Sequence, residues 1–201
     1  MKQMEVGDAA LVARARAGDE SALQGLVERH SRAVFRLAYR MTRNEQDAED
    51  VVQETFLKAF KRLDQFEDKA NFGSWIYRIA ANCSYDTLRG RARRESRLVR
   101  DQEDQRSEDQ MQQVPTSEPS PERLVLSGEL RSRVGAAMAR LSDRERSAFV
   151  LRHFEQMSTR EIATILGLDE GAAKHSVFRA VKKLRIALEQ YLPQAVKAEA
   201  S

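Results

Sequence analysis

The sequence has few of the residues that interrupt or staple a chain. It holds one cysteine, Cys83, which excludes an intrachain disulfide, and only three scattered histidines, which argues against a zinc site. Four prolines and nine glycines among 201 residues leave long stretches uninterrupted. No run of alternating apolar and polar residues reads as a strand. No apolar stretch nears the roughly 18 residues that cross a bilayer, and no signal-peptide core stands at the amino end. The expectation is a soluble, cytoplasmic protein without membrane insertion. Ser/His/Asp sets, metal-ligand spacings and phosphate loops are missing as well, so the chain reads as no enzyme, without cofactor or metal.

What is present is helical periodicity and a segregated charge. The length suffices for two small domains with modest cores. Residues 1–100 carry a net charge of +4, residues 101–122 a net −6 and residues 123–201 a net +5. The acidic stretch has three prolines and two apolar residues, Met111 and Val114. It cannot bury enough surface to offset chain entropy, so it reads as a flexible linker. The expected fold is all-α: two small helical domains joined by a flexible acidic linker, the second a helix-turn-helix domain.

In the first domain, helices are expected over Asp8–Ala17 and Asp19–Arg43, with His30 as an ordinary surface histidine. The stretch from Asn44 to Phe66 carries two demands at once. At about 100° per residue, Ala48, Val52, Phe56, Ala59, Phe60 and Leu63 form a stripe to bury. Asp47, Asp50 and Glu54 fall elsewhere, edged by Gln53 and Leu57. A carboxylate row of this kind is either a solvated face or, with the amide and leucine beside it, a patch for a basic partner. A helix from Ser74 to about Arg94 follows. Ile76, Ile79, Ala80, Cys83 and Thr87 face the core, while Trp75, Arg78, Asn82, Asp86, Arg89 and Arg93 share the other side. Arginines hold phosphates, and amides and aromatic planes engage bases. Equally, Trp75 would serve as a partly buried anchor within a solubilising fringe.

The second domain opens with Arg123–Arg140, whose Leu124, Leu130, Val134, Ala137 and Met138 form an apolar face. Ser142 with Glu145 and Ser158 with Glu161 write two capping boxes. Gly167 stops the short helix and Asp169 caps a long one. A short helix, a tight glycine turn and a long basic helix make a helix-turn-helix pattern. Ala173, Val177, Val181, Leu184 and Leu188 form the buried stripe of the long helix. Lys174, His175, Phe178, Arg179 and Lys182 surround its outer side. An aromatic ring among cations is costly in water but useful against thymine methyls in a major groove.

Together these residues resemble a bacterial RNA polymerase sigma factor of the extracytoplasmic-function (ECF) subgroup. Asp47–Phe60 is similar to the family's region that docks on a coiled coil of core RNA polymerase. On that resemblance Asp47, Asp50, Gln53, Glu54 and Leu57 bind polymerase. Asn71–Arg89 looks like the region that reads and melts the minus-ten element. The loop residues Lys69 and Phe72 are expected to capture a base, with Trp75, Arg78, Asn82, Asp86, Arg89 and Arg93 on the adjoining strand. Leu141–Arg185 looks like the domain that reads the minus-thirty-five element of promoter DNA. There the candidates are Lys174, His175, Ser176, Phe178, Arg179 and Lys182. Where many relatives have a serine followed by an arginine, this chain has His175 and Ser176. The resemblance implies domains at 1–100 and 123–201 and a partner anti-sigma factor. A different class, a helix-turn-helix regulator with an amino-terminal sensing domain, would need a ligand pocket or dimer seam in the first domain.

Overall fold

Helix ends in this chain are set by short polar side chains that satisfy the free backbone N–H groups of the first turn. Asp19 accepts from the backbone N–H groups of Ser21 and Ala22, and Asn44 from that of Asp47. The Asn71 side chain takes the N–H of Ser74 at 2.9 Å. The structure, a computed structural model, describes residues 7–67, 71–101 and 132–189. Its helices are α1 (Asp8–Arg16), α2 (Glu20–Thr42), α3 (Glu45–Lys61) and α4 (Phe72–Asp101) in the first half. A 3-10 turn, Leu63–Gln65, lies between α3 and α4. The second half has α5 (helical over 132–139), α6 (Asp143–His153), α7 (Thr159–Leu166) and α8 (Glu170–Leu188). Among the described residues there is no strand, and no helix is long and apolar enough to cross a membrane. The acidic connector lies outside the described residues except for Asp101.

Helices α1 to α4 pack around Leu26, Leu37, Met41 and Ile76, all essentially without solvent contact. Phe66, Phe72, Trp75 and His30 close one end of this core, with ring centroids 5.2 to 5.6 Å apart. The Arg16 guanidinium ties α1 to the turn by donating to the carbonyls of Leu63 and Phe66. The second half is thinner. Ala148, Leu151, Ile162, Leu166 and Ala173 form its centre, and Ala137, Leu141, Ala180 and Leu184 a smaller cluster. Helix α6 lies against α2, and α7 against α4.

Five sequence expectations change here. His30 is buried, not on the surface: its Nε2 donates to Asp8 Oδ2 at 3.0 Å and its ring meets Phe72. Helix α4 starts at Phe72 because Asn71, not Ser74, takes the capping role. On α3, Val51 and Thr55 are buried while Val52 and Phe60 are only half-buried. The helix is packed by α2 and α4 together, so its covered arc is wider than a single stripe. Val134 is exposed rather than packed. On α8 the buried positions are Ala173, Ser176, Ala180 and Leu184, with Val177, Val181 and Leu188 half-buried. Small side chains at Ser176 and Ala180 let α8 approach α6 closely, which turns the branched residues to the margin.

Candidate functional site

Three helix faces carry the candidate residues. On α3, the turn of backbone that buries Val51, Thr55 and Phe56 turns Asp50, Gln53, Glu54 and Leu57 to solvent, Leu57 with 61% of its surface exposed. Glu54 is paired with Lys58 one turn on, Oε1 to Nζ 2.8 Å, and this bond raises the lysine pKa. Gln46 Nε2 reaches Asp50 Oδ1 at a long 3.4 Å. Asp47 is half-buried, 3.8 Å from an Arg91 guanidinium nitrogen of α4. The exposed centre of the patch is therefore Asp50, Gln53 and Leu57: one carboxylate, one amide and one apolar side chain, with Glu54 at the rim.

On α4 the long helix sorts its residues by face. Arg78, Asn82, Asp86, Arg89 and Arg93 are exposed. Asn82 spends one donor locally, its Nδ2 giving to the Arg78 carbonyl at 2.7 Å. Trp75 is half-buried, its ring 5.2 Å from Phe66 and 5.6 Å from Phe72. Only part of the ring is open to solvent. Phe72 is not in an exposed loop: it retains 2% of its surface and closes the core beneath α4. The reason is the early start of the helix, which folds Phe72 inward against His30 and Phe66. Lys69 lies outside the described residues.

On α8, Lys174, His175, Phe178, Arg179 and Lys182 all face outward, Phe178 with 62% exposed. Its ring lies 6.4 Å from that of His175. Ser176 departs from the expected set. It is buried at 7%, and its hydroxyl donates to the Ala172 carbonyl at 2.8 Å. This inward turn follows from the helix phase fixed by Ala173, Ala180 and Leu184. The presentation of α8 depends on its supports: both capping boxes are formed, Gly167 takes the left-handed φ of 63°, and Asp169 caps the helix. A non-glycine residue at that φ is strained, so the glycine is what permits the tight turn. Glu145 is bound by Lys183 of α8 at 2.6 Å. Burial pushes the Glu145 carboxyl up, but Lys183 and Ser142 outweigh it and hold it below the ordinary value.

The structure brings parts of two faces together. A cavity of about 710 Å³ between α4, α6 and α8 is lined by Tyr85, Arg89, Arg144, His175 and Arg179, among others. The α3 patch has no residue in that lining. The sequence reading overlooked two groups. Arg144 follows the Ser142 cap by two positions, which turns it outward. Arg32, Arg36 and Arg40 of α2 recur at helical spacing, with Arg43 just past the helix end, a basic stripe legible in retrospect.

The comparisons with known proteins fall on the same two halves. Residues 26–94 match the Sigma-70 region 2 family, and residues 131–184 match Sigma-70, region 4. The RNA polymerase sigma-H factor of Pseudomonas aeruginosa is 33% identical, over 94% of this chain and 97% of its own length. The ECF RNA polymerase sigma-E factor of Haemophilus influenzae is 34% identical, over 88% of this chain and 92% of its own. The solved structure of CnrH, in complex with the cytosolic domain of CnrY, superposes with a TM-score of 0.55 at 28% identity, covering 91% of this chain and 97% of CnrH. With both helical halves matched in order and relatives aligned nearly end to end, the chain belongs to the ECF group of the sigma-70 family of RNA polymerase sigma factors.

Proposed function

We propose that the protein is a non-catalytic, cytoplasmic initiation factor that binds core RNA polymerase and directs it to promoters recognised at two separated elements. The observation that carries this reading is the pairing of two exposed chemistries on one chain. An acid–amide–leucine patch on α3 suits a basic helical partner, and cation-rich faces on α4 and α8 suit DNA. On this reading Asp50, Gln53, Glu54 and Leu57 dock on polymerase, with Asp47 held back by Arg91. Arg78, Asn82, Asp86, Arg89 and Arg93 attend the minus-ten strand. Trp75 lends the open part of its ring there and Phe72 supports the surface from below. Lys174, His175, Phe178, Arg179 and Lys182 address the minus-thirty-five major groove, where Phe178 meets a methyl or base edge. Ser176 holds the helix phase and has no base to read.

The domains are assigned as 1–100, a linker at 101–122, and 123–201. Control by an anti-sigma factor is part of the proposal, supported by the family and by CnrH having been solved with a cytosolic partner domain. The test is reconstitution. Core polymerase with the full chain should yield a promoter-dependent runoff transcript. A transcript independent of the chain, or a chain that binds DNA specifically without polymerase and never associates with it, would overturn the reading in favour of an independent regulator.

A further inference from the structure

We propose that the cavity between α4, α6 and α8 binds a small nucleotide carrying two or more phosphates, and that this occupant competes with promoter DNA. The competition rests on the functional reading above. The site itself rests on the cavity and the charges that line it.

Each wall contributes one guanidinium to the lining: Arg89 from α4, Arg144 from α6 and Arg179 from α8. All three are exposed, and among the described residues none of them forms an ion pair or hydrogen bond. The carboxylates that share the lining are already committed. Asp143 is held by Arg146. Glu145 is held by Lys183 at 2.6 Å and by the backbone N–H of Ser142 at 3.0 Å. Three like charges therefore open onto one space with no free carboxylate to offset them. A phosphate chain relieves that repulsion, because planar guanidinium forks take its oxygens in pairs. The paired donors of three forks outnumber the oxygens of one phosphate, so linked phosphates match the set better.

The rest of the space suits a base. Tyr85, Leu88 and Ala92 line it along α4, and the His175 ring lines it on α8. Aromatic and apolar side chains of this kind accept the flat face of any base. The volume, about 710 Å³, lies within the roughly 300–1,000 Å³ of small-molecule sites. Contacts outside the cavity hold its walls. Arg146 Nε donates to the Met41 carbonyl of α2 at 2.8 Å, and Arg78 of α4 pairs with Glu161 of α7. The guanidiniums are thereby spaced before a ligand arrives, which lowers the cost of binding it. Arg89, His175 and Arg179 are also promoter candidates, so occupant and DNA claim the same side chains.

The experiment titrates the full chain by calorimetry in magnesium-free buffer of fixed ionic strength. The probes are ATP, GTP, pyrophosphate, inorganic phosphate and adenosine. The triphosphates should bind saturably at one site, pyrophosphate about tenfold more weakly for want of stacking, and phosphate and adenosine more weakly still. Arg144→Ala should weaken ATP by about ten- to a hundredfold. Ala92→Trp, which fills the apolar wall, should weaken ATP more than pyrophosphate. Both positions are exposed and neither is a proposed polymerase or DNA contact, so melting temperatures should hold. In the parent, ATP at about nine times its Kd should weaken a minus-thirty-five duplex about tenfold. In Arg144→Ala the same concentration should shift the duplex by less than about twofold.

Absence of saturable binding, or ATP binding untouched by both variants, overturns the site. Equal affinity for ATP and inorganic phosphate overturns the nucleotide. A single-stranded tetranucleotide that binds as tightly as ATP overturns it in favour of strand capture. Duplex affinity that ignores ATP in the parent overturns the competition. The nucleotide titrations need neither DNA nor polymerase, so a failed runoff assay counts against the functional reading and leaves the site standing.

Discussion

The two helical halves hold their exposed candidate faces in place by different means. In the first, α3 and α4 are backed by large side chains, Leu26, Leu37, Met41, Ile76 and Phe72, and the caps are single side chains at the helix starts. In the second, α7 has only eight residues, far too few to persist alone. Its position is set by reciprocal cap hydrogen bonds at one end and a left-handed glycine at the other. A thick core lets an exposed face vary freely. A thin one makes the presentation of α8 depend on the hydrogen bonds that end its neighbours.

That contrast can be broken from either side. Phe72→Ala should have the largest effect, costing about 3–5 kcal/mol through the cavity left among His30, Phe66 and Trp75. A melting curve should show the first half destabilised before any loss of DNA binding; an unchanged melting temperature would put Phe72 back in a loop. Next comes Asp50→Ala with Glu54→Ala. A desolvated, hydrogen-bonded charge pair loses about 2–5 kcal/mol when one partner goes, so affinity for core polymerase should fall by orders of magnitude. Stability should hardly move, because both carboxylates face solvent. Wild-type affinity in a titration would return the row to a solvated fringe.

Phe178→Ala is the corresponding test on α8. It should leave the fold intact and remove about 1–3 kcal/mol of discrimination at one base step, read by competition between promoter variants. Ser158→Ala should cost about 1 kcal/mol by opening the capping box at α7. That effect carries a pH signature. The backbone and hydroxyl of Ser158, then Arg78, hold the Glu161 carboxyl below its ordinary value, and Glu145 is lowered too. Carboxyls depressed in the folded state contribute stability that is complete above their unfolded value near 4.5 and lost as pH falls through the depressed values. Acid titration of the parent should show this loss below pH 4.5, and Ser158→Ala should blunt it. The smallest effect is expected from Ser147→Ala. Its hydroxyl is buried without a partner, so removal should be neutral or stabilising by up to about 1 kcal/mol in a denaturant melt.

The caps and the turn were legible in the sequence because they are local. Ser142 with Glu145, Ser158 with Glu161, Gly167 and Asp169 each act within four residues, so spacing alone implies their geometry. The outward set of α3, Asp50, Gln53, Glu54 and Leu57, was legible for a related reason: helical periodicity separates a charged sector from an apolar one. The exposed position of Phe178 was readable too, from an aromatic ring standing among cations off the apolar stripe.

Where the sequence misled, the deciding partner was distant along the chain. His30 is flanked by Arg29 and Ser31, and only the arrival of Asp8 and Phe72 makes its site interior. Phe72 has polar neighbours on one side and two competing caps, and the aromatic cluster decides between them. Ser176 looked like a base-reading position until close packing on α6 claimed it. Local sequence determined which segments are helices, where the capping boxes and the glycine turn bound those of the second half, and how charge is partitioned, since those depend on backbone hydrogen bonds and spacing over a few residues. Tertiary structure decided the phase of each buried arc and the encounter of Arg146 with Met41 and of Arg78 with Glu161. Those depend on which surfaces meet across about a hundred residues of chain, and no periodicity records that.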